Sequence, residues 1–277
     1  MTPEKITPAT CIVRNTAAHK GRTRAIEPGA TAARYLHYGR VILDAAGPIL
    51  RFSTGTLETG LICLRGDAVV TAAGEAHALT RFDALYVPRD ADVTISAGTS
   101  GCDIVEVAAP VDRRRAVQFV PYLSVSGDRS LHFETGGSAA RRELSVLIGK
   151  NVDAGRIMAG VTFSQPGNWT SWPPHEHAAM LEEAYLYIEM PPPTFGIQLV
   201  YANSQEPELA TIVREGDVVL MPQGYHPNVA APGGGINFVW MMAAHREDVD
   251  RQYGVVNVQS EFAALGSGLD QARTTRP

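Results

Sequence analysis

Long apolar runs are missing from this chain of 277 residues. No stretch approaches the roughly 18–20 apolar residues that a membrane-spanning helix requires. The first twenty residues carry no apolar segment of the secretory kind. Cysteine is scarce. Cys11, Cys63 and Cys102 are odd in number, widely separated and outside any CxxC spacing. That argues against a disulfide framework and fits a reducing compartment. An excess of basic residues is also missing: 24 Lys and Arg stand against 29 Asp and Glu, for a formal net charge of -5. The chain therefore has no electrostatic footprint for nucleic acid or an anionic membrane. These absences predict a cytoplasmic protein with neither nucleic acid nor membrane as a partner.

Turn formers are plentiful, with 26 glycines and 18 prolines. Between them lie short apolar runs such as Leu61–Leu64, Ala68–Thr71, Ala84–Val87, Val93–Ile95 and Ile104–Val107. A second series includes Leu144–Ile148, Met158–Phe163, Ala184–Met190, Gly196–Tyr201, Val218–Met221 and Ile236–Met242. Strands of four to six residues at roughly ten-residue spacing indicate an all-β sandwich or barrel. Gly66-Asp67 and Gly216-Asp217 occupy comparable turns, and Tyr86-Val-Pro88 is matched by Leu220-Met-Pro222. The chain is thus expected to repeat one barrel, over residues 1–125 and 126–277, with a linker within 110–143. The polar residues 1–35 read as a lead-in strand or an arm, and Ser260–Leu265 as a short helical turn.

The two halves differ in histidine. His77 of the first half has no HxH partner. The second half holds His175-Glu-His177, then Glu182 and Glu183, then His226 in Pro222-Gln-Gly-Tyr-His226. On an extended segment His175 and His177 project to the same face. A bare HxH is as easily two surface histidines in a loop. Joined to a carboxylate on the next strand and a returning histidine, it predicts a divalent metal site. Glu182 and Glu183 are neighbours on a strand and must face opposite ways. Glu183 shares its phase with Tyr185 and Tyr187, whereas Glu182 shares its phase with Ala184 and Leu186. A polar, aromatic lumen selects Glu183 as the ligand and leaves Glu182 as an acid–base group in reserve. Trp172 and Tyr225 flank the ligands and are candidate pocket walls. Trp240, Met241 and Met242 read as core.

The segments Gly167-Asn-Trp-Thr-Ser-Trp-Pro-Pro-His-Glu-His177, Leu181–Tyr187, Phe195–Tyr201 and Glu215–Pro227 resemble the cupin superfamily and, within it, the KduI/IolB family of uronate isomerases. The resemblance implies a bicupin, two tandem cupin (jelly-roll) barrels, with the metal site only in the C-terminal one. It places one divalent metal per chain, zinc or manganese ahead of iron, on His175, His177, Glu183 and His226. It implies an aldose–ketose isomerase acting on a small sugar acid, a deoxy-uronate. The first expectation is 5-deoxy-D-glucuronate. The alternatives are 4-deoxy-5-hexosulose-uronate, whose branch the segment Ile236–Ala243 is nearer to, and an iron-dependent oxygenase reaction on the same ligands. Isomerisation needs a proton-transfer group, for which Glu182, Tyr185 and Tyr201 are the candidates. It needs substrate contacts, for which Gln198 and Arg142 are candidates, Arg142 as cation for the carboxylate. A homo-oligomer is expected from the family and from exposed sheet edges.

Overall fold

The computed structural model describes residues 5–269. Strands dominate. The α-helices among the described residues are the single turns Pro8–Cys11 and Tyr122–Ser126. Ser260–Leu265 is a 3-10 turn, close to the sequence expectation. No helix is long and apolar enough to cross a membrane. All three cysteines are buried thiols.

From Gly21 to Val120 the strands belong to one antiparallel sheet of eight. Its axis is a pair of long strands, Leu57–Ala72 and Asp92–Pro110, in register from Leu57↔Pro110 to Ala72↔Val93. The sequence suggested a turn at Arg65-Gly-Asp67. The structure instead carries one strand through it, with register shifts at Cys63/Arg65 and Gly66/Ala68. Glycine and aspartate here make a bulge, which bends a long strand without ending it. Gly66 has φ +69°, and a Cβ there would lie 2.0 Å from the Gly101 carbonyl oxygen. Only glycine meets both demands. Val41, Leu61, Cys63, Val70, Leu85, Ile95 and Ile104 form a purely apolar cluster within this half.

The remaining chain builds a seven-stranded sheet and a four-stranded one. The seven run Ile12–Val13, Val218–Met221, Leu181–Tyr187, Phe238–Ala244, Ile157–Ser164, Arg142–Ile148 and His132–Thr135. The lead-in segment is therefore a strand of the distant sheet: Ile12 and Val13 pair with Val219 and Val218. The four-stranded sheet contains Trp169–Thr170, Asn228–Ala230, Gly196–Val200 and Leu209–Val213.

A larger core joins the halves, with Ile62, Tyr86 and Val107 packing among residues such as Ile148, Ile157 and Ala184. The contact is close enough that a Cβ on Gly60 would come within 2.5 Å of the Ile148 Cδ1. Two buried carboxylates seal it reciprocally. Glu58 of the first half accepts the backbone N–H groups of Gly155, Arg156 and Ile157 at 2.8, 2.6 and 2.8 Å. Glu182 of the second half accepts those of Arg34 and Tyr35 at 2.8 and 2.6 Å, and that of Leu36. Buried Arg115 adds ion pairs to Asp153, Glu247 and Asp248. Charges this far from water persist only where such partners surround them.

Candidate metal centre

The strand Leu181–Tyr187 is buried along its whole length. One face turns Glu182 to the first half of the chain. The other turns Glu183 and Tyr185 into a cavity lined also by Arg142, Ser171, His175 and His177. His226 arrives on the return that follows Val218–Met221. The strand His175–Glu176 is held in place by pairing with Asn257–Val258.

Ligating atoms of His177, Glu183 and His226 lie within 4.8 Å of one another. Glu183 Oε2 is 3.0 Å from His177 Nε2 and 3.1 Å from His226 Nε2. His175 lies beside this group, not within it, its ring 5.1 Å from that of His226 and 6.4 Å from that of His177. All four side chains are buried.

Each histidine is oriented the same way. Nδ1 of His175, His177 and His226 faces a backbone carbonyl, of Pro173 at 2.9 Å, Leu181 at 3.3 Å and Gly224 at 2.9 Å respectively. That arrangement places the proton on Nδ1 and leaves Nε2 as the available lone pair. His226 Nε2 is sealed from solvent and makes no hydrogen bond of good geometry despite its proximity to Glu183. A buried nitrogen without a partner is costly, and a divalent cation at this point would satisfy it. The donor set, three imidazoles and a carboxylate, fits such a cation.

Electrostatics at His175 and Glu183 agree with that fit. Burial and the neighbouring His226 hold His175 down to about 3, so it is a neutral imidazole throughout the physiological range. Burial would raise Glu183, but the hydrogen bond from His177 and the close approach of His226 outweigh it and bring the carboxyl down to about 2. Burial likewise opposes a charge on His177, and the Glu183 carboxylate more than compensates, raising its pKa.

The other residues singled out from sequence separate into two groups. Tyr185 and Arg142 line the cavity. The Tyr185 hydroxyl pairs with Ser171 Oγ at 2.7 Å and donates to Glu183 Oε2 at 3.3 Å. Arg142 is buried and donates to the carbonyls of Ala140 and Trp172, both at 2.9 Å, with no carboxylate beside it among the described residues.

Glu182, Gln198, Tyr201, Trp172 and Tyr225 are not part of the cavity wall. Glu182 cannot serve as its acid–base group, because its carboxylate faces away and is held by three backbone donors. Gln198 has no free amide for a substrate. Its Nε2 donates to the carbonyls of Leu199, His226 and Pro227, and its Oε1 accepts from Tyr187 at 2.5 Å and Asn228 at 3.1 Å. It braces the backbone that carries His226. Tyr201 donates to Gln259 at 2.8 Å, and its ring lies 5.7 Å from that of Tyr225. Trp172 sits between Trp169 and Phe262, each ring centre 5.0 Å away, and contributes its carbonyl to Arg142.

Ser171, Trp240 and Tyr253 are among the cavity residues that sequence reasoning did not single out as site residues. Ser171 lies inside the motif before the histidines, so its position was a usable signal. Tyr253 lies in a tail without periodicity, and nothing local marks it.

The model of the KduI/IolB family matches residues 11–257. The chain belongs to that family. It is an isomerase, as its curated relatives are. It is 28% identical over 231 residues to the 5-deoxy-glucuronate isomerase of Geobacillus kaustophilus, covering 77% of this chain and 81% of that one. It is 28% identical over 258 residues to the 4-deoxy-L-threo-5-hexosulose-uronate ketol-isomerase of Kineococcus radiotolerans, covering 82% and 86%. Among solved structures, an IolB-like protein from Salmonella typhimurium superposes with a TM-score of 0.81 at 22% identity, over 93% of this chain and 99% of that one. Oxalate decarboxylase from Bacillus subtilis superposes with a TM-score of 0.59 at 13% identity, over 86% and 77%, a likeness of fold alone.

Proposed function

We propose that this chain is a metal-dependent aldose–ketose isomerase of a deoxy-uronate, converting 5-deoxy-D-glucuronate to 5-dehydro-2-deoxy-D-gluconate as a step of myo-inositol catabolism in the cytoplasm. The observation that carries the reading is the meeting of two features: three imidazoles and a carboxylate, of which His175, His177 and Glu183 line the cavity, and a buried guanidinium in that cavity with no carboxylate partner among the described residues. A sugar acid would bring a carboxylate for Arg142 and vicinal oxygens for an ion held by those donors. The names of the relatives support this substrate class. The chain is read as a bicupin, two barrels over residues 1–125 and 126–277, with Ile12–Val13 of the first segment lent to the sheet of the second. Its ligands are read as lying only in the second, where the group of His177, Glu183 and His226 lies.

His175, His177, Glu183 and His226 would hold one divalent ion, zinc or manganese ahead of iron. When bound, that ion supplies Lewis acidity for the carbonyl and the developing enediolate charge. The reaction itself is internally balanced. One proton leaves the hydroxyl-bearing carbon and returns to the aldehyde carbon, and one moves between the two oxygens. Arg142 orients the acid by its far end. Leu144, Leu181, Phe238 and Met242 supply apolar wall that excludes water from the intermediate. Of the three proton-transfer candidates, Tyr185 is the one within the cavity, and burial first, then Glu183, keep its hydroxyl protonated far above neutral pH.

The test is NMR of the metal-loaded protein with 5-deoxy-D-glucuronate and, separately, with 4-deoxy-5-hexosulose-uronate, in sealed tubes without oxygen. Equilibration of the first aldose with its ketose is expected. Turnover of only the second would reassign the substrate. Oxygen consumption, or turnover of neither, would sink the isomerase reading.

A further inference from the structure

Most buried tyrosine hydroxyls in this protein are already committed. Tyr38 pairs with Thr16, Tyr86 with Glu58, Tyr185 with Ser171, Tyr187 with Gln198 and Tyr201 with Gln259. Tyr253 is different. Its side chain is buried, it lines the cavity beside His175, His177 and Glu183, and its hydroxyl makes no hydrogen bond to a described residue. Its ring is fixed nonetheless. It stacks on Trp240 with ring centres 4.6 Å apart and planes inclined by only 14°. Trp240 is itself a cavity residue, and its indole N–H is buried without an acceptor. The chain from Tyr253 to Val256 continues the cavity wall, and Asn257–Val258 then pairs with the strand of His175. A rigid ring that presents an unpartnered hydroxyl in a cavity is built for an acceptor from outside the protein.

We propose that the Tyr253 hydroxyl is a substrate-recognition group, donating to a hydroxyl oxygen on the carbon chain of the acid between its carboxylate and its reacting end. The inference rests on the sugar-acid reading of the site. Tyr253 is close enough to both Glu183 and Arg142 to feel their charges. Burial, reinforced by Glu183, raises its pKa, so the group is a donor at neutral pH. Tyr253 thus adds recognition of hydroxyls to a cavity whose other contacts read only a carboxylate and a metal-binding end.

Two unreactive six-carbon diacids separate this from a general packing role. D-glucarate carries hydroxyls on its four inner carbons, and adipate carries none. Calorimetric titration of the metal-loaded wild type is expected to show tighter binding of glucarate than of adipate. In Tyr253→Phe, which keeps the ring on Trp240, glucarate should weaken about three- to ten-fold, the range of one neutral hydrogen bond. Adipate should change by less than about two-fold. An unchanged glucarate affinity, or an equal loss for both acids, overturns the inference and leaves the sugar-acid reading standing. Binding of neither acid to the wild type overturns that reading and this inference with it.

Discussion

Glu183 and His226 meet through a single pair of atoms, Oε2 and Nε2, 3.1 Å apart, although they lie on different returns of the chain. His177 approaches the same oxygen at 3.0 Å. One carboxylate oxygen therefore lies against two imidazoles, so the fold itself brings these donors together, which lowers the ordering cost of binding a cation.

Loss of a ligand should remove the metal while the barrel survives. For Glu183→Gln and His175→Ala, metal affinity is expected to fall by at least the ~10–100-fold that losing even an outer partner of a ligand costs. Metal analysis after gel filtration, with circular dichroism on the same sample, checks this. A full complement of metal in His175→Ala would remove that residue from the ligand set.

Glu182→Gln tests the opposite face of the same strand. The new amide places an N–H group against the three backbone donors of residues 34–36. A stability loss of about 1–3 kcal/mol is expected from the buried groups left unsatisfied. Metal content should not change. Chemical denaturation and metal analysis together distinguish Glu182 from Glu183, and metal loss in Glu182→Gln would contradict the assignment of faces.

Arg142→Met should act on the acid and not on the ion. Replacing charged hydrogen bonds worth about 1.5–3 kcal/mol predicts a loss of roughly 10–150-fold in kcat/KM, mainly as a higher KM. Steady-state kinetics on the uronate, beside metal content, reads this out. An unchanged KM would place the substrate carboxylate elsewhere.

Acid should loosen the junction between the halves through Glu247. Burial alone would raise this carboxyl, but the backbone N–H groups of Asp112 and Arg113 together with Arg115 hold it below the ordinary 4.5. A depressed carboxyl stabilises the fold above its unfolded pKa, and that stabilisation is lost as pH falls through the lower folded value. Urea midpoints should thus decline below pH 4.5, and Glu247→Gln should flatten that decline. A variant with the wild-type slope would show that Glu247 does not carry it.

The strand phase of Leu181–Tyr187 separated Glu183 from Glu182 in the sequence, and the structure puts them on opposite faces, because alternation is a local property of extended chain. What Glu182 faces was not local. Its partners Arg34, Tyr35 and Leu36 lie about 150 positions earlier, and only the packing of the halves brings them together. Gln198 failed for a related reason: an amide on a lumen-facing strand serves a substrate or the scaffold equally well by pattern. Arg142 was legible only as a cation near the site. Tyr253 was illegible, since its place depends on how the tail folds back over Trp240. The bulge at Arg65-Gly-Asp67 shows the same limit within one strand, where turn-forming residues bend a ladder that long-range pairing keeps intact.

The strand Ile12–Val13 ties the start of the chain to Val218–Val219. During synthesis it leaves the ribosome long before its partner exists. At ~5–20 residues per second, the roughly 200 residues between them take about 10–40 s to emerge. The first half therefore has time to fold while this strand waits unpaired, and the sheet that carries Glu183 gains this edge only after Val218–Met221 has been made. Assembly of the site is thus a late event, gated by the order in which the chain is made.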